Sequence, residues 1–112
     1  LLRVAMLWIA LERPGEAQRL FRAVADQRPD DATAHIGLAM AAIARRDFRA
    51  AEPALRTALR LDPTAPTAHL HLAHLYALTG RRDDAARAAA AAIAMGANPT
   101  QAAAAREGRL AA

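Results

Sequence analysis

The chain of 112 residues has no cysteine, no serine and no lysine, and only four aromatic side chains. Without cysteine there is no disulfide, no thiolate nucleophile and no zinc–sulfur site. Without serine and lysine there is no serine triad, no Schiff-base lysine and no Gly-Lys-Ser or Gly-Lys-Thr phosphate loop. No apolar run approaches the roughly 18 residues that a membrane-spanning helix needs. Positive charge rests on arginine alone, 15 residues against 11 acids, for a formal charge of +4. The pI of ≈ 11.2 is high partly because no lysine titrates first.

What is present favours helix. Alanine is the commonest residue and leucine the next commonest apolar one, both strong helix formers, while β-branched residues are few. An all-α protein is expected. The opening LLRVAMLWIA has the apolar character of a signal segment, but no basic stretch precedes it and ERPGE, not a small-residue cleavage site, follows. It is expected to be a helix, continued upstream because the chain starts without an initiator Met. A cytoplasmic location is the corresponding expectation.

Displaced by 34 residues, the sequence aligns with itself. Leu38-Ala39 falls on Val4-Ala5 and on Leu72-Ala73, and Ala42 falls between Trp8 and Tyr76. Ala51 matches Ala17 and Ala85; Leu55 matches Phe21 and Ala89; Ala58 matches Val24 and Ala92. Pro29 and Pro63 close two units, with Ala97 at the third such place and Pro99 just after it. Units of about 1–29, 30–63 and 64–97 follow, each read as two helices joined by a tight turn. Pro14, Asp47 and Asp83-Asp84 mark the starts of second helices. Asp30 and Thr64 are candidate caps for first helices, and Pro66 is tolerated in a first turn. Gly80 and Gly96 suit the left-handed position after a helix. Pro53, about six residues into its helix, should cost a hydrogen bond or bend the axis. A last helix is predicted over 99–110, capped by Asn98.

The period, the small residues where helices cross and the closing prolines resemble the tetratricopeptide repeat. Leu72-Ala73-x2-Tyr76 stands for the family's L-G-x2-Y, and Ala17-x3-Phe21 for its A-x3-F. The resemblance covers nearly the whole chain. It implies an α-solenoid of three helix–turn–helix units, closed by a C-terminal capping helix, in a single domain over 1–112. Packing explains the pattern, because helix backbones approach closely only where Ala or Gly leaves room; Ala39, Ala51, Ala73 and Ala85 are the expected contacts.

In this family first helices line a concave surface, so the resemblance also implies a partner-binding groove. Helical spacing places Leu2, Met6 and Ile9 on that face in the first unit, and Ile36, Met40 and Ile43 in the second. The third unit contributes Leu70, His74 and Leu78, with His71 at the edge. First helices apolar nearly all round must be covered on both faces. The second cover is expected to be a partner protein's apolar helix or extended segment, an adjacent subunit in a homo- or hetero-oligomer, or an upstream segment folded back into the groove. The alternative is that Met6 and Met40 only fill space between helices. A carboxylate clamp is not expected, since there is no lysine and Asn98 is the only asparagine. The size, the three units, the trailing helix and the run GLAMAAIARRDFRAAEPAL are similar to the small type III secretion chaperones of bacteria, which implies an aggregation-prone secreted or export-apparatus partner. The alternative is a scaffold segment of a larger multi-repeat protein.

Other functions have less support. Arg13, Arg45-Arg46 and Arg81-Arg82 gather at turns, but no aromatic residues interleave to stack on bases, so nucleic-acid binding is not expected. Glu12, Asp47, Glu52 and Asp83 lie at turns and helix starts where capping explains them, so no catalysis and no cofactor are expected. The stretch HLHLAHLYALTG places His71 and His74 three residues apart on one helix face. His69 points elsewhere and, like its counterpart His35, falls at the seam where the family often has an aromatic residue. No metal site is expected. The pair His71 and His74 is instead expected to form a polar, pH-sensitive end of the groove, with partner binding weakened below about pH 6.

Overall fold

The computed structural model describes residues 13–110, and among them every regular element is an α-helix. They are α1 (Pro14–Gln27), α2 (Ala32–Ala44), α3 (Phe48–Leu61), α4 (Pro66–Leu78), α5 (Arg82–Ala94) and α6 (Pro99–Arg106). The described chain divides into two compact units, 13–61 and 62–110. In the first, α2 packs between α1 and α3; in the second, α4, α5 and α6 pack on one another.

Second helices begin where the sequence places them. Pro14 opens α1, and Asp83 and Asp84 lie in the first turn of α5, where a carboxylate meets the positive end of the helix. Asp47 precedes α3 and accepts from the Ala50 amide at 3.4 Å. The first helices bring a correction. Asp31, not Asp30, caps α2, its carboxylate accepting from the Thr33 amide at 3.0 Å. At α4 the capping position is Ala65, which has no side chain to offer. The Thr64 amide and hydroxyl instead both donate to Asp62, at 3.2 and 2.9 Å. Each turn is also tied by a histidine: the Nε2–H of His35 donates to the Pro29 carbonyl at 2.9 Å, and that of His69 to the Pro63 carbonyl at 3.1 Å. Donation to a carbonyl sets the Nε2–H tautomer when the ring is neutral, so these two rings serve the turns.

Three of the six described helix ends follow from glycine. Gly80 and Gly96 take φ of 79° and 106° just beyond α4 and α5. Gly108, at φ 74°, closes α6 the same way, with the Arg109 amide donating to the Ala104 carbonyl at 2.8 Å. The final helix therefore stops at Arg106 rather than near Leu110. Its start agrees with expectation: Asn98 accepts from the amides of Thr100 and Gln101. Pro53 lies inside α3, which continues through it to Leu61, with the proline on the exposed side.

The core is built from alanine with a few large side chains. Phe21 is 1% exposed and Leu55 fully buried. Ala39, Ala51, Ala73 and Ala85 are all 0% exposed on helices that pack in pairs, α2 with α3 and α4 with α5. A larger side chain at any of these must displace the facing backbone. Ala39→Leu and Ala73→Leu are each expected to cost about 1–3 kcal/mol in urea denaturation. Ala103→Leu, at an exposed position of α6, is the comparison that should change little.

Candidate functional site

The expected groove face is not an open surface. On α2, Ile36 and Ile43 are 9% and 7% exposed, and only Met40 is half-buried. On α4, Leu70 and His71 are buried at 7% and 8%, while His74 and Leu78 are half-buried. Leu2, Met6 and Ile9 lie outside the described residues. The cause is the composition of the first helices: with apolar groups all round, they satisfy more than one face against their own chain. The reachable part of the expected site is thus Met40 on α2 and His74 with Leu78 on α4.

His71 and His74 have separate environments although they share a face. Burial lowers the His71 pKa to about 4, with a further lowering from His74 beside it. Burial also lowers the His74 pKa, while the backbone of Gly108 acts in the opposite direction. Gly108, just past the end of α6, rests against α4, and a Cβ there would sit 3.5 Å from Leu78 Cδ2 and 3.8 Å from Ala77 Cβ. The end of the chain after α6 therefore covers part of the face that His74 and Leu78 occupy. His71 remains neutral to about pH 4.

Three of the turn arginines, Arg45, Arg46 and Arg81, are engaged inside the chain. Arg45 donates to Gln18 at 3.0 Å, and Gln18, itself buried, donates to Asp47 at 3.3 Å, joining α1 to the turn before α3. Arg46 lies over the Phe48 ring at 5.2 Å, and Arg81 over the Tyr76 ring at 4.2 Å while also bonding Asp84. Two aromatic side chains thus do stand beside these arginines, contrary to the sequence reading, but the protein's own guanidinium groups cover them. Among the described residues no three His, Asp or Glu side chains come together as a metal site, and no helix is long and apolar enough to cross a membrane.

Three features escaped sequence reasoning. Gly37 in α2 faces the Phe21 ring so closely that no Cβ fits. Leu61 and Met95 are 41% and 42% exposed at positions 34 residues apart, a match the repeat register contained. An open cleft of ≈ 400 Å³ between α5 and α6 is lined mainly by alanines, with Ile93 and Pro99. Nothing short of the helix pairing reveals it.

Two family models, both of the tetratricopeptide repeat, match the chain, one over residues 36–103 and the other over residues 9–52. No curated protein matches it. Repeated helix pairs, fully buried alanines at their crossings and a match over more than half the sequence agree: the chain belongs to the tetratricopeptide repeat family.

Proposed function

We propose that the first helices bind an apolar helical or extended segment of a partner protein, the first unit offering Met40 as a reachable contact and the second unit His74 and Leu78. Protein–protein interaction is the general work of tetratricopeptide repeats. The observation that carries the finer reading is the contrast between helices. α2 and α4 are apolar on almost every side, whereas α1 and α3 expose polar side chains over a whole face. Ile36 and Ile43 would support the contact from beneath in the first unit, and Leu70 and His71 in the second. A flexible thioether at Met40 suits an irregular apolar partner surface.

The burial of Ile43 dictates how this is tested. A charge at Ile43 would damage the core, so the informative substitutions are Met40→Glu and Leu78→Glu at half-buried positions. Together they are expected to weaken capture of a purified partner by about a hundredfold, roughly 3 kcal/mol, with helicity retained. Retained affinity in a folded double variant would defeat the proposal. The type III secretion chaperone reading adds that the partner is insoluble alone. Expressing that partner with and without this chain distinguishes a chaperone from a scaffold segment.

A further inference from the structure

We propose that the cleft between α5 and α6 docks an amphipathic helix of a partner protein that carries carboxylates at one end. The cleft lies on different helices from Met40, His74 and Leu78 and does not depend on what those residues bind.

The groove follows from how the second unit spends its alanines. α5 turns Ala85, Ala88 and Ala92 into its own unit, where all three are buried. The next face of the helix carries Ala86, Ala90 and Ile93, spaced four and three residues apart and so in one line. Ala86 is half-buried, Ala90 is exposed, and Ile93 is 45% exposed. α6 supplies the facing wall with Pro99 and Ala103, above the buried Ala89 and Ala102. Charged side chains enter the lining only at the C-terminal end of α6, with Arg106 and Glu107. Walls of alanine let another helix come close, so that its larger side chains fill the ≈ 400 Å³ and meet Ile93. The eight residues of α6 span about 12 Å, which matches roughly two turns of such a helix.

The charged end sets the chemistry of the occupant. There the cleft shares Ala86, Arg106 and Glu107 with a second hollow of ≈ 550 Å³, which also reaches Arg82 and Asp83. Among the described residues, neither Arg82 nor Arg106 has a side-chain hydrogen bond or ion pair. The arginines around them are engaged: Asp84 holds Arg81 and Arg87, and Glu107 pairs with Arg109. Asp83 also stands alone, but in the first turn of α5 the helix dipole favours its charge. Over 81–109 five arginines stand against three acids, so the excess at this end is positive. Two guanidinium groups without partners fit carboxylates, which they can bind through paired N–H donors. The alanine stretch offers a charge nothing, so the carboxylates belong about one turn beyond the last apolar contact.

The probe is a fluorescein-labelled, alanine-based helical peptide of about 18 residues, with three leucines spaced by four and three and two glutamates a turn later. Fluorescence anisotropy is expected to show binding to the intact chain. Glutamine in place of the glutamates should weaken it about fivefold, and the double variant Arg82→Gln, Arg106→Gln by a similar factor. Ala90→Arg should abolish binding. The position is exposed and arginine is a good helix former, so the fold is kept. Its added charge would attract the glutamates, which leaves obstruction of the cleft as the cause of the loss. Met40→Glu and His74→Gln should leave the affinity unchanged, which separates this groove from the first helices. The inference fails if the intact chain does not bind the peptide at about 1 mM. It also fails if Ala90→Arg binds normally, or if Met40→Glu or His74→Gln loses the peptide. A dimer in sedimentation that Ala90→Arg dissociates would overturn it too, by assigning the cleft to a second copy of the chain.

Discussion

Gly37→Ala is expected to destabilise the protein by about 2 kcal/mol or more, lowering Tm by roughly 10 °C. The sign is opposite to the usual one. Inside a helix, replacing Gly by Ala ordinarily stabilises by about 0.5–1 kcal/mol, since Gly loses more chain entropy on folding. Here the new methyl would overlap the Phe21 ring at Cε1, Cδ1 and Cζ. Phe21 is 1% exposed, and a planar ring has no flexible end to swing aside. Either α1 and α2 move apart or the ring leaves its rotamer, and both outcomes exceed the propensity gain. Gly15→Ala is the matched comparison, because nothing lies within 4 Å of a Cβ built at Gly15 in α1. It should leave stability unchanged or slightly raised. Combining Gly37→Ala with Phe21→Leu should recover part of the loss, because the smaller side chain vacates the space. Thermal denaturation of the wild type, Gly37→Ala, Phe21→Leu, their combination and Gly15→Ala decides the matter; additive losses would show that the contact is not the cause.

Periodicity made most of the fold legible, while single contacts stayed hidden. Alanine recurring at 39, 51, 73 and 85 marks backbone approach, and all four proved fully buried. Pro14, Gly80, Gly96 and Asn98 act through their own backbone or side chain, so their effects were readable locally. Asp30 and Asp31 are chemically equal as caps, and only the position of the Thr33 amide chooses between them. Gly108 fell inside the helix predicted over 99–110, and only its φ of 74° shows that α6 ends before it. The Gly37–Phe21 contact joins different helices, and no pattern within either helix announces it. The site was less legible for a geometric reason. Successive residues on a helix are about 100° apart, so a residue at the edge of a face, as His71 was placed, turns inward with a small rotation. Burial of Ile36, Ile43 and Leu70 likewise depends on how much of an all-apolar helix its own chain covers, which spacing alone does not specify.

His71 gives the second large effect, a loss of about 3 kcal/mol of folding stability between pH 7 and pH 4. The folded protein holds its pKa at about 4 against an ordinary 6.5, chiefly by burial and secondarily by His74. Above pH 6.5 the ring is neutral in both folded and unfolded chains and contributes no pH dependence. As pH falls below 6.5, the unfolded chain takes up a proton that the folded chain refuses, and stability declines with it. The decline ends near pH 4, where the folded ring accepts the proton too. Urea denaturation of the wild type and of His71→Gln, at half-unit intervals from pH 7.5 to 4, isolates this contribution. The variant is less stable at neutral pH if glutamine packs poorly, but that offset is constant; the informative quantity is the difference in slope. Asp84, whose pKa is lowered by Arg87 and Arg81, also loses stabilising contacts in acid, yet its contribution is common to both proteins and cancels. His74 acts in the same direction, so His74→Gln alone should remove only part of the slope, and the double variant most of it. Parallel curves for wild type and His71→Gln would mean that the ring reaches water in the folded state. The imidazole would then belong to the accessible surface that its place on α4 first suggested.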